Sequence, residues 1–273
     1  MNLILAAEEG FHVPTLEELF DFPPFLFEDT IFALNRTGLL YLLSAVIVSG
    51  LFIAAFSKPQ IVPGKLQSIV ESIVQFVREN IVLEVIGPDG LKFVPLLTAM
   101  FMFIFVNNFY EIMPFVQFPT TGRMAVPMML AIAVWFTFIL VGMRSQGGLR
   151  YFKNTLVPSG VPGPILLLIV PIELVSTFLV RPLTLSVRLF ANMMAGHIIL
   201  ALAFIAANSF LIDFHGPIKV LPEGALGGVL GLFIGLVGGP LLVTFELLVG
   251  GLQAYIFTIL AAVYIAGSLH PEH

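Results

Sequence analysis

Residues 181–197 read RPLTLSVRLFANMMAGH, which sets two arginines, an asparagine and a histidine inside a long apolar stretch. Leu, Val and Phe surround Arg188 on both sides, so no loop carries its charge to water. A charged side chain at mid-bilayer costs about 2.5–3.5 kcal/mol on insertion scales. Arginine does not escape that cost by giving up its proton. A partner carboxylate or water in a cavity must compensate Arg188, which makes it a candidate functional residue.

The rest of the chain supplies the membrane. Its 273 residues are 58% hydrophobic and 11% charged, against about 25% charged in soluble domains. It reads as an all-α integral membrane protein. With no cysteine there is no disulfide framework, thiolate metal site or thiol nucleophile. The net charge of −5 argues against nucleic acid as a partner. MNLILAAEEG lacks a basic residue ahead of its short apolar run, so no cleaved signal peptide is expected there. No nucleophile triad, phosphate loop or metal cluster is legible, so neither cofactor nor metal is expected, nor covalent catalysis by this chain alone.

In chain order, residues 1–37 form an acidic segment with Arg36 as its one cation and a short helix expected near residues 15–20. Residues 38–57 hold a first span. Residues 58–90 hold an amphipathic surface helix, with Leu66, Ile69, Ile73 and Val77 on one face and Gln67, Glu71, Gln75 and Arg78 on the other. Residues 91–144 form a two-span hairpin with Asn107, Asn108 and Glu111 at the far end of its first arm. Residues 145–164 are a basic, Pro/Gly-rich connection. Within 165–273 two apolar runs, each roughly 45 residues, show no internal turn signal. As single helices each is about 66 Å long against a hydrocarbon core of ~30 Å, so each run is either a broken helical hairpin or one steeply tilted helix. Their middles hold Arg188 and Glu246 in helix-compatible sequence with no polar turn, although Pro182 and Pro240 offer kink points, which favours a hairpin of two long, strongly tilted helices. Five crossings result. The basic loops after spans one and three fall on one side, which places the N-terminus outside and the C-terminus in the cytoplasm.

The polar residues of the last hairpin set its register. Arg188 opposite Gln253 and His197 opposite Glu246 require nearly the same antiparallel alignment, with the turn near residue 221 beside Lys219, Pro222 and Glu223. Arg188 and Asn192 are i,i+4, so they share a face, as do Glu246 and Gln253 two turns apart. Gly228, Gly231, Gly235 and Gly239, with Gly250 beyond Glu246, form a small-residue stripe that lets another helix come close.

RLFANMMAGH followed by LQAYIF resembles subunit a of F-type ATP synthases, and NNFYEIMP resembles that family's polar patch on an earlier span. The resemblance is strongest over residues 173–265 and implies a proton-translocating stator in a bacterial inner membrane. It implies two aqueous half-channels, a rotating ring of c subunits as partner, and b-type peripheral stalk subunits within the larger complex. Arg188 then matches the essential arginine, Gln253 the glutamine near it, and His197 with Glu246 an acid–histidine pair. Asn192, Asn108 and Glu111 match the outward-facing channel. Glu173 and Ser176 are assigned to the inward one, and the glycine stripe to the ring. A fixed Arg188 charge favours the ionised form of a ring carboxylate opposite it, while a carboxyl in lipid must be protonated.

Other membrane classes fit less well. Secondary transporters usually carry internal repeats and broken helices, and neither is visible. A haem-carrying subunit needs paired axial histidines within spans, whereas only His197 lies in one. A plain scaffold leaves the buried charges Arg188 and Glu246 unexplained.

Overall fold

The computed structural model describes residues 35–113, 116, 118, 120–157, 163–212 and 231–269. Residues 1–34 of the acidic head, with its expected short helix, the turn near residue 221, Gly228 and the last four residues lie outside that set. Among the described residues every regular element is helical, and five helices are long and apolar enough to cross a membrane.

Helix α1 (Arg36–Phe56) starts where the Asn35 side chain accepts a hydrogen bond from Gly38 N at 2.8 Å. Asparagine in this position satisfies one of the free amides that open any helix. Helix α2 (Lys65–Val77) runs on through a π-helical turn, Arg78–Leu83. Its bundle-facing edge is Gln67, Val70, Val77 and Ile81, while Leu66 and Ile69 stay exposed. The apolar face expected from periodicity is thus split between the bundle and the surroundings, as suits a helix lying at a membrane surface. Gly87, at φ +83°, turns the chain into a 3-10 turn (Pro88–Phe93) that leads into α3 (Val94–Ile112).

Helix α4 (Ala125–Gln146) ends at Gly147, at φ +86°, a conformation that favours glycine. The basic connection that follows is not irregular throughout: Gly148–Leu156 is a helix, α5. The sequence reading missed it because nine residues are too few for a clear period. Its Tyr151 ring lies on Gly142, where an added Cβ would stand 2.2 Å from ring atom Cε2.

Within the described residues both long apolar runs are continuous helix. Helix α6 (Gly163–Val175) passes through a π turn (Ser176–Val180) into α7 (Arg181–Ile212). A second π turn (Ile234–Gly238) leads into α8 (Gly239–Leu269). Each π turn ends two residues before a proline, Pro182 or Pro240. Proline offers no N–H and its ring crowds the carbonyl four residues back. Widening the preceding turn relieves that conflict, and the amides of Arg181 and Gly239 donate five residues back, to Ser176 O and Ile234 O. The prolines therefore do not break the rods. The apolar lengths are 44 residues (Pro164–Ala207) and 39 residues (Gly231–Leu269). At ~1.5 Å per residue that is about 66 and 58 Å, so a core of ~30 Å holds them only steeply inclined.

Helix α8 is central and packs along α3, α4 and α7. Its buried stripe is apolar at one end, with Ala254, Phe257, Ala261 and Ile265, and turns polar at Gln253 and Glu246. On α7 the matching stripe is Leu185, Leu189, Met193, Gly196 and Leu200. The apolar ends close into one core with Leu97, Ile104, Val134 and Phe138.

Gly142→Val drives a branched side chain into the Tyr151 ring, and overpacking of this kind costs about 1–3 kcal/mol. Thermal unfolding of the purified protein in detergent should show a lowered Tm for Gly142→Val. Gly50→Ala, with nothing within 4 Å of the new Cβ, should leave Tm unchanged or slightly raised.

Candidate functional site

Where the α8 stripe turns polar, three helices and a loop converge. Helix α3 turns Asn107, Asn108 and Glu111 inward, all buried, at spacings that share one face. Helix α8 brings Glu246 and Gln253, also buried, and α7 brings His197 and Asn192. His197 Nδ1 stands 3.6 Å from Glu111 Oε1, just beyond hydrogen-bond distance. Glu246 packs against Gly196, the residue next to His197. Asn192 Nδ2 donates to Gln253 Oε1 at 2.7 Å, and Asn108 Nδ2 donates to Gly250 O at 2.9 Å.

Two crevices meet at this cluster. One, of about 170 Å³, is lined by Phe105, Asn108, Phe109, Ile112, Glu246 and Gly250 among others. The second, of about 200 Å³, runs past Asn108, Leu189, Asn192, Glu246, Gly250 and Gln253. They share Asn108, Glu246 and Gly250, so Glu246 borders both. Gln253 Nε2 is buried without a hydrogen-bond partner among the described residues. Buried amide groups are normally satisfied, and Gln253 lines the second crevice.

The hairpin register agrees with the alignment read from the sequence: Gly235 lies over Ala207, Gly239 over Phe204 and Gly196 over Glu246. The side-chain partners differ from it in detail. Gln253 bonds Asn192 and not Arg188, and the histidine contact of the site runs to Glu111 on α3, with Glu246 beside it. The reason is rotation: Arg188 is about 100° round α7 from buried Leu189, and it lies exposed with Thr184, Ala191 and Ala195. Among the described residues Arg188 makes no hydrogen bond and no ion pair.

Glu173 and Ser176 are half-buried and belong to a different region. They precede Arg188 on the same rod by about 22 and 18 Å, and the structure does not bring them to the cluster. Ser176 opens the π turn before Pro182. Of the glycine stripe, Gly235, Gly239 and Gly250 lie on Ala207, Phe204 and Asn108 of this same chain. Small residues let α8 approach its own partners α7 and α3. Gly231 is buried as well.

Sequence reasoning passed over four contributors. Ser44 on α1 and Thr120 in the loop both donate to Asn107 Oδ1, at 3.1 and 3.0 Å, and Thr121 donates to Asn108 Oδ1 at 3.0 Å. Gly196 is the fourth: a Cβ there would lie 2.2 Å from Glu246 Oε2. Its adjacency to His197, opposite Glu246 in the predicted register, was the available signal. Gly196→Ala should lower thermal stability by about 1–3 kcal/mol. In a Glu246→Ala background, which removes the obstructing carboxylate, the same change should cost little, and a double-mutant cycle of Tm values measures the difference.

The sequence profile described as ATP synthase A chain matches residues 38–266. The chain is 39% identical to "ATP synthase subunit a" of Rhodococcus erythropolis over 269 residues, covering 98% of this chain and 94% of the relative. It is 42% identical to the protein of that name from Parafrankia sp., covering 98% of this chain and 88% of the relative. The corresponding Paenarthrobacter aurescens protein is 43% identical, with 87% and 86% covered. A match over most of the chain, on a five-span helical fold, means that this protein belongs to the ATP synthase A-chain family.

Proposed function

We propose that this chain is the proton-translocating stator of a bacterial F-type ATP synthase, with Arg188 as its fixed charge facing the carboxylates of a rotating c-ring. The observation that carries the proposal is the position of Arg188. It lies exposed on the middle of a rod too long and apolar to leave the membrane, with no partner among the described residues. A guanidinium in that place calls for a carboxylate from outside the chain.

The division of labour follows from the two faces of α7. On the outward face, small neighbours Thr184, Ala191 and Ala195 leave Arg188 accessible to an approaching helix. A ring carboxylate opposite Arg188 is favoured in its ionised form, and one that moves into lipid must take up a proton. The groups packed between α7, α3 and α8 supply the route, with Asn192 reaching Gln253 from the exposed side that it shares with Arg188. Asn108, Glu111, Asn192, His197 and Glu246, with Gln253 beside them, line an outer half-channel that hands protons on between carboxylates and imidazole. Glu173 and Ser176 border the inner half-channel, displaced along α6 from the outer one. Protons then cross only as the ring turns, and Arg188 blocks direct passage between the two routes.

In this reading the N-terminus is outside and the C-terminus cytoplasmic, b-type stalk subunits hold the chain still, and ATP chemistry resides in the partner subunits of the complex. ATP-driven proton pumping in inverted vesicles tests the proposal. Arg188→Ala should abolish coupled pumping while the complex stays assembled. Pumping at the normal rate would mean that the arginine is structural.

A further inference from the structure

The turn Thr120–Gly122 is fully buried, and its two threonines meet two consecutive asparagines of α3. Thr120 Oγ1 donates to Asn107 Oδ1 and Thr121 Oγ1 donates to Asn108 Oδ1, each at 3.0 Å. The far sides of the amides are committed too. Asn107 Nδ2 donates to Phe103 O at 2.8 Å, within its own helix, whereas Asn108 Nδ2 reaches across to Gly250 O on α8 at 2.9 Å. A backbone carbonyl can only accept, so the NH2 of Asn108 must face Gly250, and its oxygen must face the Thr121 hydroxyl. Among the described residues the Thr121 hydroxyl is the donor to that oxygen.

The chain continues back to α1. Tyr41 OH donates to Thr120 O, Arg36 Nη2 donates to Val116 O at 2.6 Å, and the Arg36 guanidinium lies 5.5 Å from the Phe118 ring centre. The loop is therefore held from the α1 side and holds Asn108 from the other. Asn108 borders both crevices at Glu246, and its Cβ would lie 3.2 Å from a Cβ on Gly250. No slack is left between α3 and α8 at this point. From this geometry we propose that Thr121 is a positioning residue for proton transfer: it fixes the Asn108 amide, which sets the α3–α8 spacing at Glu246. The inference rests on the outer half-channel described above.

Without the hydroxyl, Asn108 Oδ1 is buried with no donor, and the amide either stays unsatisfied or turns and gives up Gly250. Passive proton conduction and ATP-driven pumping are to be measured in vesicles carrying the whole complex, with assembly checked by immunoblot. Thr121→Val, which keeps the shape and removes the donor, should lower proton flux about tenfold, the scale of one buried hydrogen bond left unmade. Thr121→Ser should restore it. In an Asn108→Ala background Thr121→Val should have no further effect, because its route of action is gone. Normal flux in Thr121→Val beside impaired Asn108→Ala would overturn the inference and leave the half-channel standing. Normal flux in Asn108→Ala would overturn the half-channel and the inference with it. Equal loss in Thr121→Ser and Thr121→Val would make the fit of the side chain responsible instead of its hydroxyl, which also overturns it. If the valine chain does not assemble, Thr121→Ala makes the same comparison.

Discussion

A guanidinium inside the hydrocarbon of a bilayer costs about 2.5–3.5 kcal/mol on insertion scales, and this fold does nothing within its described residues to cancel that cost at Arg188. The same helix carries a histidine that lies beside Glu111 and an asparagine that bonds Gln253. Carboxylates and amides are available on α3 and α8, yet none is used on the arginine. The rotation of α7 enforces this separation. Leu185, Leu189, Met193 and Gly196 must face the bundle to close the core, and that turns Arg188 away from every acid of the cluster.

The separation explains why the two long helices are rods rather than hairpins. A break near Pro182 or Pro240 would free α7 to rotate or unwind, and the sorting of its faces would be lost. The π turns before the two prolines keep the backbone hydrogen-bonded through the conflict. The glycines have a related role. Gly196 leaves room for the Glu246 carboxylate, and Gly250 lets α3 come close enough for Asn108 to bond across to α8. Removing side-chain bulk at these points lets polar groups of three helices converge in a space that apolar packing would otherwise fill.

Much of this was legible in the sequence because it depends on period and length. The apolar runs fixed the five crossings, and the positions of Arg188, His197, Glu246 and Gln253 fixed the hairpin alignment. What failed depends on rotation about a helix axis, to which a register argument is insensitive. Opposed positions such as Arg188 and Gln253 need not touch when one of them points outward, and Asn192 took the glutamine instead. The glycine stripe has the same limit, since spacing says that something approaches but not which helix. Thr120 and Thr121 were passed over because threonine in a loop carries no signal until its partner is known. Helix α5 was too short to declare a period.

The most direct test of the face assignment uses the absence of native cysteine in this chain. A single cysteine at Ala191 or Thr184, on the exposed face beside Arg188, is oxidised against a cysteine placed next to the carboxylate of the c-ring. A control cysteine replaces buried Met193, which is 4% exposed. Disulfide formation from Ala191→Cys and Thr184→Cys, with none from Met193→Cys, is the predicted result. Cross-linking from Met193→Cys, or none from the two exposed positions in an assembled complex, would contradict an outward-facing Arg188.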